Sequence, residues 1–526
     1  MRSLIDDPDY ACDGLVACDL VRASAGDYLF AHALIQEGVY SSLLHSKKRE
    51  LHRKAADWFG AQEPILRAEH LDRAGDPEAA NAYLSAATDQ AGRSRFEVAL
   101  QLAERGAQLT TSAPVRCALI LLRADTLREL GRSRDSITAF QEVVELAQDD
   151  VQRCRAWMGV AAGNRVTGDF AAAMAALNQA EPIAHRLALV ADSSRIRHTR
   201  GNLYFAQGKV RECHDEHQAA LVFARQVGDP ECEARALSGL GDAQYARARM
   251  LTALGYFKDC VELSRQAGLV KVEVPNRAMC AHCLLYNNEV DRAVSEVHGA
   301  CESAHKFGLV QSEIFALESL TFLLTMAGRY DEAEQAGAKC LSLARPAGAR
   351  RFESTVLYVI AMLRIAQGKH AIARDQLAQS LELARQTGMG FLGGAIFGAI
   401  AYATADPGER RHALEQGEAL LREPCVSHCH LWFYWSAIDA SLAAGEWDMA
   451  VRYADALEDY VQAEPLPWAY LVSARGRALA AVGKGDTGNQ GQLTRLREQA
   501  STGGFGWAVP AIDAALTRLQ NFVAPR

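Results

Sequence analysis

Two short stretches bring together residues able to do chemistry. Cys280-Ala-His-Cys283 sets two thiols around an imidazole, and Cys425-Val-Ser-His-Cys429-His430 forms a second thiol–imidazole cluster. Zinc favours such ligands, but a structural zinc site needs four of them converging tetrahedrally, and neither stretch alone supplies that set. Cys280 also stands where Leu240 and Leu320 stand at a spacing of 40 residues, so a small buried thiol is its expected role. No metal and no cofactor is expected; an enzyme built on these clusters remains the alternative. The bases of KKRELHRK at 47–54 could meet phosphates. Glu50 and Leu51 interrupt them, however, and Ala55, Trp58 and Phe59 continue an apolar face, so a solvated helix face is expected. The aromatic run HLWFYW at 430–435 reads as core between late helices rather than as a ligand platform. Arginine recurs in register at Arg155, Arg195 and Arg235. Asn202 and Asp242 share a second register, Arg165 and Tyr245 a third, and His198 lies one turn beyond Arg195 on the same helical face.

These residues must be positioned by a repeat. Glycines fall at 228, 268, 308, 348 and 388, a 40-residue spacing, inside similar words such as FARQVG, LSRQAG and LARQTG. A second series at 168, 208, 248, 288, 328 and 368 reads Gly, Gly, Ala, Asn, Gly, Gly. Five residues after each comes Ala173, Cys213, Ala253, Ala293, Ala333 or Ala373, a small residue where two helices must approach closely. Residues 353–388 illustrate the unit: an apolar helix, a turn at Gly368, an amphipathic helix, then Gly388 in a left-handed stop. The fold class is all-α, an α-solenoid superhelix of about ten helix–turn–helix units of period 40.

Composition agrees. At 526 residues the chain exceeds one ordinary core, and 49% hydrophobic with 23% charged residues suits a folded, soluble protein. A net charge of -8 argues against a general nucleic-acid binder. Thirteen cysteines scattered through helical segments point to reduced thiols rather than disulfides. The first residues, MRSLIDDPDYACDG, carry acids where a secretory signal carries bases, and no apolar run approaches the roughly 18 residues of a membrane span. A cytoplasmic location follows as the expectation.

The pattern resembles the tetratricopeptide repeat (TPR) family. GRYDEA at 328–333 matches that family's inter-helix turn, RGNLYFAQGK at 200–209 the end of its first helix, and Trp157 a frequent tryptophan position. The period of 40 rather than the usual 34 resembles the longer arms of large bacterial signalling ATPases of the STAND type. The N-terminal run LVACDLVRASAGDYLFAHALIQEGVYSSLL resembles the end of a winged-helix domain: a helix, two short wing strands and a helix. With Phe30, His32, Gln36, Glu37, Tyr40, Arg49, His52 and His70 in order, it resembles the junction behind the ATPase module of those proteins, many of which also carry class III adenylate/guanylate cyclase domains. No G-x-x-x-x-G-K-[ST] phosphate loop and no cyclase-like domain is present in the sequence.

The segments expected are a winged-helix remnant and junction helix at 1–60, degenerate first repeats at 61–110, a TPR-like solenoid at 111–482, and a loop with a capping helix at 483–526. The resemblance implies that the first helix of each unit lines a concave groove. Arg155, Arg165, Arg195, His198, Asn202, Arg235, Asp242 and Tyr245 would then hold an anionic group of a protein or peptide partner, or a small anionic effector, by charge-assisted bonds. Salt bridging between repeats is the competing reading of the same arginines. The function implied is a non-catalytic scaffold or sensor arm of a signalling ATPase or adenylate cyclase-type regulator, with no membrane and no nucleic acid as partner. A transcription activator's regulatory arm is the alternative, against which stands the lack of a basic recognition helix after 483.

Overall fold

The computed structural model describes residues 10–24 and 27–523. The acidic first nine residues and the last three lie outside the described residues. Among the described residues, 27 helices and one two-stranded hairpin make up the chain. None of these helices is long and apolar enough to cross a membrane. The chain divides into two compact units, residues 1–130 with 138–152, and residues 131–137 with 153–526.

The first unit opens with the helix Asp13–Ala17, an antiparallel pair Val21–Ser24 and Asp27–Phe30, and the helix Ala33–Ser42. The basic run forms the helix His45–Phe59, and its cations are held by near neighbours. Lys47 and Lys54 pair with Glu50, Arg53 with Asp76 at 2.8 Å, and Arg49 donates to the Ala74 carbonyl at 2.6 Å. His52 lies 2.8 Å from both the Tyr40 hydroxyl and His70 Nδ1, which pins this helix to its neighbours. Several large apolar side chains in this region stay exposed, among them Leu29, Leu34, Leu44 and Trp58.

In the second unit the glycine registers become turns. Gly168, Gly208, Gly328 and Gly368 have φ of 86°, 71°, 74° and 73°, and Ala248 and Asn288 accept the same left-handed backbone at 59° and 63°. The repeat thus imposes the conformation even where a side chain makes it costly. Ala173, Cys213, Ala253, Ala293, Ala333 and Ala373 are all 0% exposed, as the close approach of paired helices requires. Gly388 departs from the expected left-handed stop: at φ 111°, ψ 118° it ends the helix His370–Thr387 and starts Met389–Ala403 without an intervening turn.

The stretch after 483 also differs from the expected loop. A helix runs Gln490–Thr502 before the last one, Val509–Val523. Glycines at 485, 488 and 491 obscure it in the sequence, but Leu493, Leu496 and Ala500 give it a buried stripe at helical spacing.

One property of this unit leaves no periodic trace: the winding closes on itself. The Glu464 carboxylate accepts from Leu251 N at 2.6 Å and from the Thr252 hydroxyl at 2.6 Å, capping the helix Met250–Gln266 from 213 residues away. Ser427 Oγ donates to the Tyr245 carbonyl, Trp432 Nε1 to the Tyr286 hydroxyl at 3.0 Å, and Trp507 N to the Met326 carbonyl at 3.3 Å. At Gly208 the two passes are so close that an added Cβ would lie 2.5 Å from Cys425 Cα.

Candidate functional site: a charged cavity

Because the winding closes, the inward stripe of the first helices faces a partly open cavity of about 290 Å³. Its wall takes residues from Asp150–Thr167, Val190–Ala206, Pro230–Tyr245, Val270–Tyr286, Val310–Met326 and Arg350–Ala366, and from the later Met389–Ala403 and Ser427–Ala444. Phe205, Phe315, Phe352, Phe391 and Trp432 make it aromatic, and Arg165, Arg235, Arg351, Asp242 and Glu318 make it charged.

The charges are poorly matched. Arg235 is paired with Glu231 of its own helix at 2.8 Å. Arg351 instead lies over the Phe391 and Phe352 rings, 4.8 and 5.3 Å from their centroids. Asp242 attracts Arg165 and Arg351, and Glu318 attracts Arg351, through space rather than through hydrogen bonds. Burial lowers Arg165, and burial with the nearby Arg165 charge lowers Arg351 to about 10, so Arg351 remains a cation at neutral pH. Burial pushes Asp242 up to about 7 and Glu318 up to about 8 against the pull of these arginines. The part of Arg165, Asp242 and Arg351 that stays accessible faces the cavity.

Polar groups in the wall are also left incomplete. Asn202 Nδ2 meets His198 Nε2 at 3.0 Å, His282 Nε2 meets Ser319 Oγ at 3.0 Å, and His428 Nε2 meets the Phe391 carbonyl at 2.6 Å. The other nitrogen of each ring, together with Asn276 Oδ1, has no partner. Asn276, His282, Glu318 and His428 are all at most 4% exposed. Unpartnered polar atoms this deep each cost about 1–3 kcal/mol.

These shifts set a pH dependence for the unliganded chain. His198, His217, His282 and His428 are held below the ordinary 6.5 by burial, His282 to about 4 and His217 and His428 to about 3. Each takes up a proton only on unfolding below about pH 6.5, so its contribution is present above that pH and lost as pH falls. Asp242 and Glu318 act oppositely: protonated in the fold, they contribute at low pH and lose that contribution as pH rises through about 7 and 8. The lowered histidines outnumber the two raised carboxylates below about pH 6.5, so melting temperatures should rise between about pH 5 and 6.5; a fall over that range would contradict these assignments.

Six of the eight sequence-derived residues line this cavity: Arg165, His198, Asn202, Arg235, Asp242 and Tyr245. Two do not. Arg155 is exposed outside it, and Arg195 is tied to Asp192 at 3.0 Å and to Asp229 of the next repeat at 3.5 Å. Arg195 thus bridges neighbouring repeats, the competing reading given above. Sequence reasoning missed Lys271, Asn276, His282, Glu318, Arg351, His428 and the aromatic wall. Carrying the same registers forward finds many of them. The Arg155 register continues to Pro275, Phe315 and Thr355, that of His198 to Ser238 and Glu318, and that of Asn202 to His282, and all of these line the cavity.

Of the two thiol–imidazole clusters, only His282 and His428 reach the cavity wall. Cys280 is 8% exposed and Cys283 fully buried, within helix Val270–Tyr286. Among the described residues no three His, Cys, Asp or Glu side chains are grouped so as to hold a metal ion. The aromatic run is mostly core, with Leu431, Trp432, Phe433 and Trp435 buried, while Trp432 also faces the cavity.

Residues 314–386, which include GRYDEA, match the tetratricopeptide repeat family. A search of curated proteins gives no match. Among solved structures, the chain is similar to the APC/C hetero-tetramer Cut9–Hcn1, with a TM-score of 0.50 at 13% identity over 93% of each chain. It is also similar to a Rap protein complexed with competence and sporulation factor, with a TM-score of 0.47 at 12% identity over 74% of this chain and 98% of that one. The third is a STAND protein with a tetratricopeptide repeat sensor from Pyrococcus horikoshii, with a TM-score of 0.44 at 13% identity over 73% of this chain. This chain spans 60% of that protein's length. At such identities the likeness establishes the fold alone: an α-solenoid of TPR type.

Proposed function

We propose that this chain is a non-catalytic binding arm whose charged cavity takes a small organic anion, or the anionic end of a peptide, as an effector. The observation that carries this reading is the pair of deep guanidiniums, Arg165 and Arg351, with no carboxylate in hydrogen-bonding reach. A buried cation without a partner is costly, and an anionic ligand would complete it with charge-assisted bonds. Asp242 and Glu318, drawn toward their neutral forms, would donate to such a ligand rather than repel it. The aromatic wall suits a flat or acyl body behind the anionic head. The N-terminal stretch, with its likeness to the junction behind a signalling ATPase and its exposed Leu29, Leu34, Leu44 and Trp58, supports placing the arm in a larger ATPase- or cyclase-type regulator.

The test uses two ring systems that differ in charge. Anilinonaphthalene sulfonate, an aromatic anion, should bind with one saturable site at least about tenfold tighter than the neutral N-phenyl-1-naphthylamine, a difference of about 1.4 kcal/mol. Arg351→Met should erase that preference. Equal affinity of both probes for the unaltered chain would sink the anion-binding assignment.

A further inference from the structure

Cys425, Cys429 and His430 are outside the cavity wall, yet they form a built cluster. Cys425 sits in the connection before helix Ser427–Ala444, with its sulfur 3.1 Å from His430 Nε2. The Cys429 thiol, four residues on, acts on the same sulfur to favour its thiolate, and reaches the Gly390 carbonyl at 3.6 Å. Tyr460 stacks on the His430 ring at 4.1 Å and 15°, fixing its plane, and Nδ1 of that ring has no partner. His430 opens onto a surface depression of about 260 Å³ edged by Arg422, Arg452 and Tyr453. Among the described residues nothing else resembles this arrangement. Burial raises the thiols of Cys154, Cys213, Cys260, Cys301 and Cys340, whereas Cys425 is pushed down to about 5 by the Cys429 thiol and then by His430.

We propose that Cys425 is a hydroperoxide-reactive thiol, with His430 as its proton donor and Cys429 as its resolving partner. In the first step the Cys425 thiolate attacks one peroxide oxygen and the O–O bond breaks. The leaving hydroxide takes a proton from His430 Nε2, giving water and a sulfenic acid on Cys425. In the second step the Cys429 sulfur attacks Cys425 and displaces that hydroxyl, which leaves as water with the thiol proton. Two electrons pass from the two sulfurs to the peroxide, and one disulfide forms. The leaving-group proton and the resolving thiol are both in place, which no other buried cysteine offers. The position also matters mechanically, because Val426 N donates to the Gly390 carbonyl at 3.0 Å and Gly208 abuts Cys425. A bond drawing Cys425 toward Cys429 would strain this seam.

The full chain treated with a few equivalents of hydrogen peroxide, then alkylated and mapped by mass, should show a Cys425–Cys429 disulfide as its first product, ahead of oxidation at the exposed Cys18. Cys429→Ser should stop at a sulfenic acid on Cys425 that dimedone traps. His430→Gln should slow disulfide formation by about a hundredfold, the low end of general acid catalysis. Oxidation of Cys18 while Cys425 and Cys429 both remain alkylatable in the unaltered chain would overturn the proposal, and that comparison needs no variant to fold. None of these readouts depends on what the cavity binds.

Discussion

Arg351→Met should raise the melting temperature of the unliganded chain while removing its preference for an anionic probe. In the unoccupied cavity Arg351 is a deep cation whose nearest carboxylates, Asp242 and Glu318, are themselves drawn toward neutrality and make no hydrogen bond to it. Methionine keeps much of the volume against Phe352 and Phe391 and loses the stranded charge. Exchanging buried charges for apolar groups of similar size commonly stabilises by about 1–4 kcal/mol. The lost contact with the two rings, worth about 0.5–2 kcal/mol, leaves a gain of about 1–2 kcal/mol. Arg475→Met is the matched control. Arg475 is more deeply buried, and it pairs with Asp439 at 2.6 Å, both side chains being at most 5% exposed. Removing it strands Asp439 and should cost about 3–5 kcal/mol. Calorimetry or circular-dichroism melts of the two variants should therefore move in opposite directions. A drop for both would mean that Arg351 serves the fold and not a ligand.

Gly208→Ala should cost far more than Gly228→Ala, although the two glycines share nearly the same backbone, φ 71° and 67°. A left-handed alanine costs about 1–2 kcal/mol wherever it stands. Around Gly228 nothing lies within 4 Å of an added Cβ, so that cost is the whole effect. At Gly208 the same methyl would sit 2.5 Å from Cys425 Cα and 2.6 Å from Pro424 C, backbone atoms that cannot rotate away. Overpacking adds about 1–3 kcal/mol, and here it also pries apart the two passes of the winding. Urea titrations would read both variants. Similar losses for the two would show that the passes separate freely and that the cavity is not held shut.

The repeat was legible because its physics is local. Left-handed turns at fixed intervals demand glycine or an accommodating residue, and tight helix pairs demand a small one, so both leave a 40-residue signature. The inward face was legible for the same reason, which is why Arg165, His198, Asn202, Arg235, Asp242 and Tyr245 meet in one wall. An arginine in register looks the same in sequence whether it faces a cavity or, as at Arg195, bridges Asp192 and Asp229. Arg351 was hidden because its register partners are Lys271 and Phe391, a position whose chemistry changes while its direction does not. The closure could not be read at all. Contacts such as Ser427 with Tyr245 join positions 182 residues apart, and nothing in either neighbourhood repeats to announce them.

The cap that Glu464 places on the helix beginning at Met250 has a consequence for how the chain comes to be. That helix is synthesised 213 residues ahead of the carboxylate that accepts from its Leu251 amide. An open solenoid can settle repeat by repeat as it emerges, since each repeat needs only its neighbour. Here the middle helices emerge from the ribosome with an interior that only the late ones close. Such a chain acquires its final order in one late step, and translation that stops short of Glu464 leaves a product whose early half has formed helices but no finished interior.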